Sequence, residues 1–349
     1  MKDKSIISIQ NGSIVDFQGN KRHFRGMTVS LAEGSLPPPS LQEADAFFDQ
    51  LRKNDTTILR WQILWEDIEG TGPDNYNEAF LADLRSLLKK AEAAGILVFL
   101  EPLMVHWGSC LGGLGAPAWT VEVAGLEGDM DGIQKRDAMF SLFWAGKKIA
   151  PDIMVEGDNI QDYLQGHYIA AMRHTARRVK DCKTVVGFGI MAEGQPGNLQ
   201  ALELFPLDFA QDCLKPFQKK FMGAFQKKHS HYLFLAQAMT TGHFSQWKFH
   251  PGYNTKEATT TQREGGVIPD ADSEASKVIT LLSFSPPPKN ILSLFSKDRF
   301  RSKFLETIKK ASGGGNAVMV AITSTQGTEY LQELVQEEGL SYFLNKRLS

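Results

Sequence analysis

Along the 349 residues, short apolar runs alternate with longer stretches of helical period from one end of the chain to the other. Such alternation builds α/β folds, because each crossover helix covers the strand pair it connects. Ser5 to Asp16 reads as a β-ribbon ending in the turn Gln18-Gly19-Asn20. His23 to Ser30 is the first core strand, and Leu41 to Lys53 the first helix, with Ser40 as its N-cap. Thr56 to Trp65 is the second strand, and Asn77 to Ala94 a helix closed by Gly95. Ile96 to Pro102 is nearly all apolar, as a parallel strand buried on both faces should be.

A glycine-rich loop from His106 to Gly132 precedes helices over Lys135 to Lys148 and Asp158 to Lys180. Thr184 to Met191 is the fourth strand, ending at Glu193, and helix Asp208 to Lys228 leads to the fifth, His231 to Ala238. The polar, aromatic segment from about 239 to 275 is too long for a plain connection and reads as a functional loop or lid. Lys277 to Phe284, Ala317 to Ile322 and Leu340 to Leu344 are strands six to eight, with helices Asp298 to Ala311 and Thr328 to Glu338 between them.

Eight strands without a linker or repeat predict one (β/α)8 barrel over residues 1–349, its N-terminal ribbon (1–22) capping the barrel. A doubly wound open sheet is the competing fold, but no Gly-rich phosphate loop follows the first strand. Composition adds limits. A net charge of −2 offers no bulk attraction to nucleic acid, and no apolar run is long enough to span a bilayer. Three cysteines without paired spacing point to free thiols. With no signal-like N-terminus, the chain as written is expected in the cytoplasm, unless a signal was removed.

Barrels place their chemistry at the carboxyl ends of strands. Read in order, Arg60 lies on strand two and Trp65 ends it, with Glu66 and Glu69 following; Glu101 ends strand three, followed by His106 and Trp107, with Trp119 further on. Glu193 ends strand four and Gln237 strand five, and Trp247, His250 and Tyr253 follow in the long loop. Carboxylates, histidines and tryptophans together suit a sugar site, where indole faces stack on pyranose rings. Several of these aromatics are equally suited to a core. No clustered His and Asp ligands occur at strand ends, so neither metal nor cofactor is expected.

The segment LRWQILWEDIE (59–69) resembles the strand-two arginine and following W-E-x-x-E-P element of family 5 glycoside hydrolases. Gly115-Ala116-Pro117-Ala118-Trp119 resembles the G-A-P-x-W loop of endoglycoceramidase-like members, and GFGIMAEGQPG (187–197) their strand-four segment G-x-x-x-x-N-E-P-x-x-G. The resemblance implies a β-glycosidase acting on an oligosaccharide or glycolipid, with Glu193 as general acid/base. It also implies that Arg60 orients a second carboxylate, the nucleophile, about 5–5.5 Å from the first.

The chain departs from that pattern at three places. Ala192 stands where the family has asparagine, and Ser283 with Phe284 or Ser285 where it has histidine and tyrosine. Ala321, Ile322 and Thr323 stand where strand seven should present the nucleophile. Three readings follow. Glu101, Glu264 or Glu329 supplies the second carboxylate; the enzyme inverts, with carboxylates about 6.5–9.5 Å apart; or the barrel binds a glycan or glycolipid without cleaving it.

Overall fold

The computed structural model describes residues 6–126, 130–200, 209–226, 228–237, 277–284, 297–312, 317–322 and 328–345. Eight parallel strands close into a barrel. In chain order they are Arg25–Val29, Ile58–Leu64, Leu97–Leu103, Val185–Gly189, Leu233–Gln237, Val278–Phe284, Ala317–Ile322 and Ser341–Leu344. The eighth strand returns to the first with Phe343 opposite Gly26, which completes the ring.

Period-two alternation sorts each strand between two cores. Ile58, Phe99, Leu233, Leu235, Ile279, Leu281, Met319 and Phe343 fill the barrel interior. Leu59, Trp61, Val98, Leu100 and Phe188 face outward into the layer under the helices. The N-terminal ribbon, Ile7–Gln10 paired antiparallel with Ser13–Asp16, adds Ile7, Ile9 and Ile14 to the interior cluster. That is the end opposite the strands' carboxyl termini, so the ribbon stoppers the floor of the barrel and leaves the other mouth for chemistry.

Several boundaries differ from the sequence reading, each for a local reason. The first helix begins at Ala44 rather than Leu41. Ser40 and Glu43 instead bond one another, Ser40 Oγ donating to Glu43 Oε2 at 2.6 Å, and they hold a turn ahead of the helix. Trp65 lies in a short helix, Trp65–Glu69, not at a strand end. The helix expected from Lys135 begins at Gly132, because Asp131 and Gln134 form a reciprocal capping box. A two-residue hairpin, Met154–Val155 with Asp158–Asn159, precedes helix Ile160–Arg178, and Asn159 caps that helix.

Strand four is shorter than expected, with a register shift opposite Val98 and Phe99. The chain nonetheless stays bonded beyond Gly189. Ile190 N donates to Leu235 O, and Ala192 exchanges backbone bonds with Pro102 and Met104. Glu193 is thereby carried past the strand to the mouth of the barrel.

Candidate active site

Strand two, ILRWQIL, sends Ile58, Arg60 and Gln62 inward by simple alternation. The Arg60 guanidinium is 1% exposed, so it needs a partner inside the barrel. Glu101, from the neighbouring strand and 0% exposed, supplies it: Arg60 Nε donates to Glu101 Oε2 at 2.5 Å. Gln62 Nε2 donates to the same oxygen at 3.2 Å. The other oxygen, Oε1, is buried without a hydrogen-bond partner. Glu101 has room there because residue 189 is glycine, where an added Cβ would lie 2.2 Å from Glu101 Cγ.

The second arm of Arg60 reaches strand five. Its Nη2 donates to Gln237 Oε1 at 3.1 Å. Gln237 Nε2 in turn donates to Glu193 Oε1 at 3.3 Å and to Ser283 Oγ, on strand six, at 3.3 Å. One connected set of polar groups therefore runs from strands two and three through five and six to Glu193. Glu193 is exposed and has a left-handed φ of +57°. Its loop is anchored from the helix over Gly132–Ile149: Trp144 Nε1 donates to Gln195 O at 2.7 Å, and Ser141 Oγ accepts from Asn198 N at 2.9 Å.

Strand seven contributes Ala317, Met319 and Ala321 to the interior. Ala321 lies opposite Ser283, level with the polar set, and brings no carboxylate to it. Glu329 is exposed in the first turn of helix Thr328–Glu337 and is not part of the Arg60 network. Trp247, His250, Tyr253 and Glu264, with the proposed lid, lie outside the described residues.

The three described tryptophans expected as sugar platforms are packing residues. Trp65, Trp107 and Trp119 are buried, and their indole N–H groups bond to Glu69 Oε2, Thr120 Oγ1 and the Glu69 carbonyl. Trp65 meets Trp119 and Tyr168 edge-on, and Trp107 meets Phe140 and Phe143. Such pairs are worth about 0.5–1.5 kcal/mol beyond their burial, and a covered ring offers no face to a sugar.

Glu66, expected to touch substrate, instead clamps the loop after strand three. Its carboxylate accepts from Gly115 N at 2.8 Å and from the Ser109 hydroxyl. Within that loop His106 is exposed, with a left-handed φ of +51°.

Gln62, not singled out in the sequence, and Glu69, named there only as a position after strand two, belong to this frame. Gln62 was legible from parity with Arg60, two residues on along one strand. Glu69 was not legible as a hub. It is buried and accepts from Trp65 Nε1, from Asp74 N at 2.6 Å and, within 2.9 Å, faces His167 Nδ1. The ligand atoms of Glu69, Asp74 and His167 lie within 4.8 Å of one another, a spacing a metal ion would accept. Both Glu69 oxygens are already engaged by protein groups, which suits a hydrogen-bonded latch better than a metal site.

An interior arginine–carboxylate pair thus lies below a strand-four glutamate at the open mouth of a (β/α)8 barrel. The chain is similar in sequence to fungal proteins named as glycosidases and similar in fold to solved glycosidase barrels. The chain is 32% identical over 281 residues to a glucosylceramidase of Cryptococcus neoformans, spanning 63% of this chain and 38% of that protein. Among solved structures, Cryptococcus neoformans sterylglucosidase 1 matches 98% of this chain and 76% of that one, with a TM-score of 0.71 at 13% identity. Endo-glycoceramidase II from Rhodococcus sp. matches 95% and 74%, with a TM-score of 0.68 at 17% identity. At such identities the structural matches establish the fold. The chain spans well under half the length of the curated relatives it matches. No known family profile matches it.

Proposed function

We propose that this barrel acts on the β-glycosidic bond of a glycolipid or related oligosaccharide, with Glu193 as the proton donor to the leaving oxygen. The observation that carries the reading is the placing of Glu193. It stands exposed at the carboxyl mouth of a glycosidase-type barrel, and Gln237 ties its carboxylate to the interior Arg60. The activities for which the fungal relatives are named, glucosylceramidase and ergosteryl-beta-glucosidase, support a sugar joined to a lipid as the substrate class. A proton donor at this point lowers the barrier to departure of the aglycone, and such general acid catalysis contributes typically about 10²–10⁴ in rate.

A second reading has its own support. Arg60 is already paired with Glu101, and strand seven presents Ala321 at the level where the family resemblance calls for a carboxylate. A barrel so built recognises a glycan or glycolipid without cleaving it.

The test is hydrolysis of a panel of aryl β-glycosides and a fluorescent glycosphingolipid by the wild type and by Glu193→Gln. Turnover that the variant loses supports the hydrolase. Binding of the same ligands with no turnover in either protein supports the recognition barrel. Equal turnover in both removes Glu193 from the chemistry.

A further inference from the structure

We infer that Gln237 is the positioning residue for Glu193, an amide that ties the exposed carboxylate to the Arg60 charge inside the barrel. The inference rests on the reading of Glu193 as the group that faces substrate, and it assigns Gln237 a task other than touching sugar.

The geometry of the amide leaves one orientation. Its Oε1 lies 3.1 Å from Arg60 Nη2 and 3.4 Å from the Glu193 backbone N, both of which are obligate donors. An amide turned the other way would set its NH₂ against two donors, so the oxygen must face them. The NH₂ group is thereby directed at Glu193 Oε1 and Ser283 Oγ, both at 3.3 Å.

Gln237 thus holds Glu193 by two points, backbone and carboxylate. Two-point attachment matters here because Glu193 sits past the end of its strand at a φ of +57°, where no ladder hydrogen bond fixes its direction. Arg60 completes the device. Its charge polarises the Gln237 carbonyl, which strengthens the donation from the opposite end of the same amide. Arg60 itself is held by Glu101, so the anchor of Glu193 is a buried ion pair on strands two and three. Gln237 is buried, on a strand whose other interior residues, Leu233 and Leu235, are apolar. An amide at that position has no packing reason, and its four polar contacts are the reason it has.

Gln237→Met keeps the length and removes the amide; Gln237→Asn keeps an amide and loses the reach. The readout is calorimetric affinity for two probes, a cationic glucose-shaped iminosugar and neutral methyl β-glucoside, in the wild type, both variants and Glu193→Gln. A correctly aimed carboxylate favours the cation, so Glu193→Gln should lose the preference. Both Gln237 variants should lower the cation's affinity about tenfold, the scale of one hydrogen bond to a charged group, and leave the neutral probe unchanged. Where turnover exists, kcat should fall in the same variants with KM unchanged.

Loss of the preference in Glu193→Gln but not in either Gln237 variant would overturn the inference and leave the reading of Glu193 intact. Equal weakening of both probes would mean that Gln237 merely supports the barrel, which also overturns it. A preference that survives Glu193→Gln would remove the reading of Glu193 itself, and the inference with it.

Discussion

Arg60 Nε donates to Glu101 Oε2 at 2.5 Å, and both side chains are almost wholly removed from solvent. The pair occupies the level of the barrel interior from which Gln237 reaches Glu193, so stability and site geometry meet in one contact. Breaking such a pair leaves one buried charge uncompensated, at a cost of about 3–5 kcal/mol. Glu101→Leu should therefore destabilise strongly in urea unfolding, whereas Arg60→Met with Glu101→Leu should recover most of the loss. A double variant as unstable as the single would show that the charges themselves are needed for folding.

Gly189 tests the same contact from strand four. A methyl group there would press into the Glu101 side chain, whose Cγ lies 2.2 Å from the Cβ position. Gly189→Ala should cost about 1–3 kcal/mol as the pair is pushed aside. Unchanged stability would mean that Glu101 can move freely within the barrel.

Asp67 carries an ionisation cost. Burial, with the nearby Glu66 charge adding to it, pushes its carboxyl up to about 6. A raised acid in the folded state binds its proton more tightly than in the unfolded chain. Stability therefore falls as pH rises from the ordinary carboxylate range through about 6, and the penalty is complete above that. Asp67→Asn should gain about 1 kcal/mol at pH 7.5, a figure reduced for the partial exposure of the group, and nothing at pH 3.5. Denaturant midpoints across that range decide it, and a gain that persists at low pH would assign the effect to something other than charge.

His167 behaves with the opposite sign. Its bond to Glu69 raises the imidazole above the ordinary histidine value. The charged pair joins helix Trp65–Glu69 to helix Ile160–Arg178, and its contribution is fully present below the unfolded value of 6.5. It is lost as pH rises through the folded value. Thermal stability of the wild type should fall as pH rises above 6.5, and His167→Gln should flatten that slope. Identical slopes would show that the contact is kept by the neutral imidazole.

Much of the frame was legible in the residues. Eight apolar strands of the right length, separated by helical periods, leave few folds besides a closed barrel. Alternation along ILRWQIL places Arg60 and Gln62 on one face whatever the rest of the chain does. The position of Glu193 just past strand four was legible for the same local reason, although the strand itself ends sooner than its apolar run.

Aromatic roles were not legible. Trp65, Trp107 and Trp119 follow strands as sugar platforms would, yet each is enclosed by rings from helices Gly132–Ile149 or Ile160–Arg178. Burial of a side chain depends on what arrives from elsewhere in the chain, and no local pattern carries that information. Which carboxylate pairs with Arg60 was left open for the same reason. Glu101 is 41 residues away on the paired neighbouring strand, Gln237 is 177 away, and the curved barrel brings strand five across to the same guanidinium.

The sequence by itself determined the strands, their inward faces and the chemical kinds available at the mouth, because period and propensity act over a few residues. Tertiary structure alone decided that Arg60 holds Glu101, that Gln237 holds Glu193, and that the tryptophans pack instead of binding. Those pairings depend on strand order and on the register between strands, which no short stretch of residues carries.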